Sequence, residues 1–507
     1  MKKRILSLIF SALLCASAVA AAACGESSDS PSPAAAAASQ DGDSPAETEP
    51  AETEPQYEPD DLPSDLSFGG AKINLLGWDY SSRPNDVEFG ITEANGEIVN
   101  DAIYERNRKV EERINIDIVE SAVPGDNGAR AEWVKFVEKS VMAGAKAYDI
   151  VAGYSMCGAS LAYKNLLWEL NDRQYLNFDK PWWPDSLLKE AVCDGKLYFA
   201  SGDISTNMIY MLYVNYFNKA MFESFGIENP YELVRSGTWT IDKLMSMVDT
   251  MYSDLNGDGN RDVGDQFGYV NHITFSDGWF FASGLRTTTV GDEGLPVLSP
   301  LFGGERAQGL LDKLNTLFSQ PGGFLIDYSY DDAYNLNYNM FMEGRIGLTT
   351  TEALQAYEKF RFSDINYGIL PMAKYDETQS DYYTVSSFPY SLYGIPVDVD
   401  DPDRSAAVLE ALASESYRTV SPALFEVALK VKYSQDADST EMWDLIRSSN
   451  VFDFGRIFND NMNSETYSLY RNAIGAHTAD WISTYAKAEK RLTKALAKVV
   501  EHLTAEG

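Results

Sequence analysis

Histidine is scarce in this chain of 507 residues: His272, His477 and His502 are the only three. General acid–base chemistry by imidazole therefore has little to work with. Cysteine is nearly as rare, with four in all. Beyond the first 24 residues only Cys157 and Cys193 remain, and two isolated thiols make a poor metal site. An exported chain could pair them, but nothing in their spacing brings their Cα atoms together. Positive charge is in deficit. Lys and Arg number 41 against 76 Asp and Glu, a net charge of −35. Nucleic-acid binding needs basic patches and is disfavoured on that ground. Familiar catalytic signatures are missing as well: there is no H-E-x-x-H, no P-loop and no G-x-S-x-G. Carboxylates are plentiful, so a glycosidase-type acid pair stays open.

Apolar and aromatic residues are abundant by contrast. The chain is 45% hydrophobic and 12% aromatic, with 30 Tyr and nine Trp. That is enough for sizeable cores, and the length calls for two or more domains. An aromatic surplus fits core packing and equally fits flat platforms for a sugar ring. Composition alone does not separate the two.

Met1 to Ala23 reads as an export signal: Lys2, Lys3 and Arg4, then an apolar run from Ile5 to about Ala20, then small residues. Ala21-Ala22-Ala23-Cys24 resembles a lipobox, with Ala21 where Leu is usual. Lipidation of Cys24 is the expectation, and plain cleavage after an A-x-A site is the alternative. Residues 24–67 then form a linker. Gly25 to Ser64 has almost no apolar bulk and repeats AETEP from Ala46 to Pro55, so it should be a disordered tether.

An α/β rhythm follows. Lys72–Leu76 reads as a strand ending at Trp78 and Asp79. Asn100–Ile114 has helical spacing, Ile116–Val119 is a strand, Glu132–Met142 a helix, and Tyr148–Val151 a strand ending near Tyr154. In a doubly wound sheet, residues just past the carboxyl ends of strands face the ligand. That puts Trp78, Asp79 and Tyr154 at a cleft; a core Trp beside a turn-forming Asp fits Trp78 and Asp79 as well. Near the middle, Asp194 to Lys219 joins the strand Lys196–Phe199 to the apolar run Met208–Phe217 through a small polar loop that contains Asp203. The run reads as a strand buried on both faces. Near the end, Trp481, Tyr485, Ala488, Leu492, Leu496, Val499 and Leu503 mark a long amphipathic helix, expected to pack on a second lobe.

The sharpest chemical motif is DLNGDGNRDVGD, Asp254 to Asp265. Its spacing is that of an EF-hand-type Ca²⁺ loop. Asp254, Asn256 and Asp258 present oxygens at alternate positions. Gly259 allows the turn, Asn260 offers a backbone carbonyl, and Asp262 and Asp265 stand ninth and twelfth. Hard oxygen donors suit Ca²⁺. Asp265 replaces the usual bidentate Glu, and only the incoming helix is present. A structural Ca²⁺ clamp is the expectation, and an Asx-rich solvated turn the alternative.

Taken in order, GKLY (Gly195–Tyr198), the Ca²⁺ loop, FMEGRIGLTTT (Phe341–Thr351) and YGILPMA (Tyr367–Ala373) resemble the extracellular solute-binding proteins of family 1, which feed sugars to ABC importers. Lys180-Pro181-Trp182-Trp183 occurs at the matching place in clostridial-type members. The resemblance covers most of the chain after about residue 68. It implies an α/β, two-lobed periplasmic-binding-protein-like fold of the class II type, with a hinge near Gly195 and Ile369. The first lobe would comprise 68–195 and 373–418, the second 196–372 and 419–507. It further implies ligand between the lobes, with Trp78, Tyr154 and Trp279 stacking on a sugar and Asp79, Asp203 and Glu352 binding its hydroxyls. Trp279 fits a core position equally well. The implied function is a lipid-anchored, monomeric receptor on the outer face of a Gram-positive-type cell membrane. It would deliver a carbohydrate, favoured as an oligosaccharide, to ABC permease subunits, with no enzymatic activity. A secreted polysaccharide hydrolase and a peptide receptor of the same fold are the alternatives.

Overall fold

The computed structural model describes residues 57–505. The expected leader, Cys24 and most of the linker lie outside the described residues. β1 (Ala71–Asp79) pairs in parallel with β2 (Ile116–Pro124) along its whole length, and on its other side with β3 (Ile150–Tyr154). Parallel neighbours need crossovers. The helices Ile98–Ile114 and Arg130–Met142 supply them. The first buries Ile103, Val110 and Ile114, spaced by seven and four, and the second Trp133, Val137 and Val141, spaced by four.

The chain leaves this sheet after Ala200, which still bridges to Tyr393 of the first lobe. The apolar run Met208–Phe217 is not one strand. A short helix, Thr206–Tyr210, takes up its start, and β4 (Tyr213–Asn218) is buried throughout. β5 (Phe267–His272), a hairpin of β6 (Thr288–Val290) and β7 (Pro296–Leu298), β8 (Gly323–Ile326), β9 (Ile346–Glu352) and β10 (Tyr367–Leu370) follow. Apart from the hairpin they form a second sheet in the order β10-β4-β9-β5-β8. β8, β5 and β9 run parallel; β4 opposes β9 and β10.

The chain then returns through β11 (Thr384–Val385) to β12 (Ser391–Gly394), which closes the first sheet against β3. The hinge expected near Gly195 and Ile369 lies later at both crossings. Gly195, at φ +73°, makes a tight turn between the bridged Cys193 and Lys196, and Ile369 is a β10 residue inside the second sheet. The crossings proper are 201–212 and 371–390. Helix Pro402–Glu415 packs on helix Ile98–Ile114 of the first lobe, and helix Ala437–Ser448 lies on β10 of the second. β13 (Asn450–Val451) pairs with β11.

The last helix, Trp481–Thr504, buries the expected stripe. It does not rest on the second lobe alone. At its start Trp481 Nε1 donates to the Phe302 carbonyl of the second lobe at 2.6 Å. At its end Tyr198 Oη of the first lobe donates to the Leu503 carbonyl at 2.9 Å, and His502 stacks on Tyr163 at 4.2 Å. Cys157 and Cys193 are buried and unpaired. Trp182 and Trp183 are core residues, the latter donating to Glu410 at 3.0 Å. Among the described residues no helix is long and apolar enough to cross a membrane.

Candidate binding cleft

A cleft of about 560 Å³ opens between the lobes, lined by seven tyrosines among other residues. Chain topology explains where it lies. Tyr80 follows β1, Asp126 follows β2 and Tyr154 ends β3, all at the carboxyl edge of the first sheet. From the second sheet come Thr274 after β5, Tyr328 after β8 and Glu352 at the end of β9. Tyr213 joins them because β4 is antiparallel and pairs Tyr213 with Glu352. Carboxyl ends of strands are where open α/β sheets bind ligands.

Of the six expected binding residues, the structure brings Tyr154 and Glu352 to this cleft. The other four lie elsewhere. Trp78 is fully buried: its Nε1 donates to Ser391 Oγ at 3.0 Å, and its ring meets Tyr80 and Tyr154 edge-on at 5.0 and 5.3 Å. It buttresses cleft tyrosines from behind. Trp279 is also fully buried, donating to Tyr269 Oη at 3.1 Å. Asp79 turns away and accepts the Asn85 N–H at 2.9 Å, closing the loop after β1. Asp203 pairs with Arg447 at 2.9 Å and accepts from Ser421 at 2.6 Å, beside a separate cavity of about 360 Å³ at the first crossing. The polar loop around Asp203 serves the interior: Ser205 and Asn207 donate to Glu88 at 3.0 and 2.7 Å, and Tyr393 does so at 2.8 Å. Thr349 and Thr350 are likewise buried, Thr350 donating to Asn215 at 2.6 Å.

The residues that sequence reasoning missed are mostly tyrosines. Tyr328 and Tyr334 hydroxyls meet Thr274 Oγ1 at 2.5 and 2.8 Å, forming one wall. Tyr467 carries Arg471 over its ring at 4.5 Å. Arg471 and Arg456 flank the buried Asp277 at 2.8 and 2.6 Å. Burial alone would raise the Asp277 carboxyl, but the two guanidiniums outweigh it and hold it below the ordinary range. Across the mouth, Arg83 of the first lobe pairs with Glu358 of the second at 3.0 Å and covers the Tyr80 ring at 4.5 Å. Glu352 is different. Burial pushes its carboxyl up to about 7, relieved only in part by hydrogen bonds from its own N–H, Thr351 Oγ1 at 3.0 Å and Gln355; Glu358, of the same sign, adds to the rise.

No protein-family model and no curated protein sequence matches the chain. Solved structures do. The galacto-N-biose/lacto-N-biose I-binding protein of an ABC transporter from Bifidobacterium longum superposes with a TM-score of 0.57 at 12% identity, over 85% of this chain and 98% of that one. A sugar transporter from Rhizobium etli, in an open conformation, gives 0.55 at 13%, over 86% and 100%. The GacH receptor of Streptomyces glaucescens gives 0.54 at 13%, over 84% and 99%. This is the two-lobed solute-binding fold. Within it, the aromatic cleft occupies the interface between lobes, and both crossings run beneath it.

The loop Asp254–Asp265 lies away from the cleft, before β5. Asp254 accepts the N–H groups of Gly257 and Gly259 at 2.7 and 3.0 Å, Asn256 that of Asp258 at 2.9 Å, and Asp258 that of Asn260 at 2.7 Å. A Cβ on Gly264 would fall 2.8 Å from the Asn256 amide and 3.0 Å from an Asp262 carboxyl oxygen, so these side chains converge on one spot. Asp265 is fully buried and accepts from Tyr252 Oη at 3.0 Å. Its oxygen-rich donor set fits a hard cation. Among the described residues no cluster of three or more His, Cys, Asp or Glu side chains is gathered to hold a metal, so a cation here would draw on Asn256 and the Asn260 carbonyl too.

Proposed function

We propose that the chain is an extracellular receptor that captures a carbohydrate, most readily an oligosaccharide, between its lobes and delivers it to an ABC importer. Lipidation of Cys24 would hold it on the outer membrane face. The observation that carries this reading is the tyrosine-walled cleft at the carboxyl ends of both sheets. Aromatic faces take the C–H side of a sugar ring, while Arg83, Glu352, Gln355 and Asn335 can bind its hydroxyls. The neighbours in fold support it, since those with informative names are described as binding or transporting sugars. Closure on the ligand would supply the signal to the permease.

The loop Asp254–Asp265 is proposed as a structural Ca²⁺ clamp held by Asp254, Asn256, Asp258, Asp262, Asp265 and the Asn260 carbonyl. It would fasten the segment between helix Ile241–Val248 and β5. Chelation should lower the melting temperature, and Ca²⁺ but not Mg²⁺ should restore it; no change would remove the clamp.

The receptor reading is tested by thermal shift of the purified protein against mono- and oligosaccharides and peptides. A ligand that binds only the folded state raises the melting temperature. A shift with one sugar class, the sugar recovered intact, supports the receptor. A sugar cleaved during the assay supports a hydrolase instead, and a shift with peptides alone overturns the carbohydrate reading.

A further inference from the structure

The cleft holds an enclosed carboxyl, Glu352, that has no ion-pair partner among the described residues. Glu352 ends β9 and faces the cavity, with Thr351 as a side-chain donor. Of the cleft's cations, Arg83 is engaged with Glu358 and Arg471 with Asp277, and Lys359 makes no ion pair with Glu352 or any other described residue. Next to Glu352, Gln355 is 5% exposed and its carbonyl oxygen has no hydrogen-bond partner among the described residues. Tyrosines from both lobes surround the carboxyl closely enough to feel its charge: Tyr80, Tyr213, Tyr334 and Tyr338 all have hydroxyls raised chiefly by burial and further by Glu352.

We propose that the cleft selects a saccharide bearing a protonated amine, with the Glu352 carboxylate as its counter-ion. This rests on the carbohydrate reading above. An ammonium has three donors and no acceptor. Glu352 and the Gln355 carbonyl are acceptors left underused, and ring faces attract a cation in addition. A sugar hydroxyl could hydrogen-bond Glu352 but offers its carboxylate form no counter-charge. An amino sugar supplies that counter-charge and still presents apolar ring faces to the tyrosines. Glu352 is thus a specificity-determining residue.

The test is calorimetric titration of the purified protein at neutral pH with three probes of equal length: glucosamine oligosaccharides with free amines, their N-acetylated forms, and cello-oligosaccharides. The free amine should bind roughly tenfold or more tighter than either neutral form, as expected for a charge-assisted contact. Glu352→Gln, nearly isosteric, should erase that preference, so that the free amine binds the variant no tighter than the neutral forms do. Repeating the titration in buffers of different ionisation enthalpy adds a readout that a merely structural role would not move. The amine should displace a proton from wild-type Glu352 and none from the Gln variant. Unchanged melting of the variant would show that folding is intact. The proposal is overturned if neutral sugars bind and amino sugars bind no tighter, an outcome that leaves the receptor reading standing. It is also overturned if the preference survives Glu352→Gln. If no saccharide binds while another solute class does, the receptor reading for sugars fails first and this proposal with it.

Discussion

Glu88 beneath the first crossing and Glu352 in the cleft are both enclosed carboxyls, yet Glu88 receives Ser205, Asn207 and Tyr393 as donors where Glu352 has Thr351, with help from its own N–H and the Gln355 side chain. Burial raises both. The difference is in what each site is completed by. At the crossing, the protein supplies Glu88 with three side-chain donors, and the carboxyl binds the loop after β1, the crossing loop and β12 into one piece. In the cleft, Glu352 has fewer side-chain donors and faces an open cavity. Of these two carboxyls, the one met by three side-chain donors ties elements of the fold together, and the one met by fewer faces a cavity.

The contrast can be broken most forcefully at Asp277. Its two arginines would be left buried without a counter-charge in Asp277→Ala, and loss of about 3–5 kcal/mol is expected by denaturant unfolding. Glu88→Ala comes next: three donors lose their acceptor and a small cavity opens, for about 2–4 kcal/mol. Glu352→Gln should by comparison leave stability at neutral pH undiminished, because it removes a group that the fold does not satisfy.

The smallest effect sharpens the comparison through pH. The folded-state carboxyl of Glu352 lies near 7, above its ordinary 4.5, raised by burial. The folded protein therefore holds this proton more tightly than the unfolded chain does. The stability it contributes is full below about pH 4.5 and is lost as pH rises to about 7. Glu190 and Glu410, also raised to about 7 mainly by burial, act in the same direction. Urea titrations across that window should show a shallower decline for Glu352→Gln than for the wild type. Equal slopes would mean that Glu352 is already balanced in the folded state.

The fold was legible in sequence because its signals are local. Spacing of three and four predicts helices over Asn100–Ile114 and Glu132–Met142, which form as Ile98–Ile114 and Arg130–Met142; short apolar runs mark β1 and β3, and the family resemblance of FMEGRIGLTTT points to β9. The cleft was less legible. Trp78 and Trp279 are the larger aromatics, and size favours the interior, where each also found a hydrogen-bond partner. Tyrosine carries its own polar group to the surface, but which of 30 tyrosines reach the cleft depends on which strand ends meet across the lobes. Tyr154 is visible as a strand end and Glu352 only through the family resemblance; Tyr328 and Tyr334 lie on or beside loops and Tyr467 on a late helix, and no short-range pattern marks them. Asp203 misled because a small polar loop beside a crossing looks the same whether its partners are a solute or Glu88.

The last helix has its first turn fastened to one lobe and its last turn to the other. Twenty-four residues long, it spans about 36 Å at 1.5 Å per residue. Any rotation of the lobes must tilt this rod or release one of its ends. It thus acts as a lever on the outside of the molecule, turning movement at the cleft into displacement far from it. A pair of optical labels, one on an exposed residue of the rod and one on the far lobe, would read opening and closing directly, without touching any residue that faces the solute.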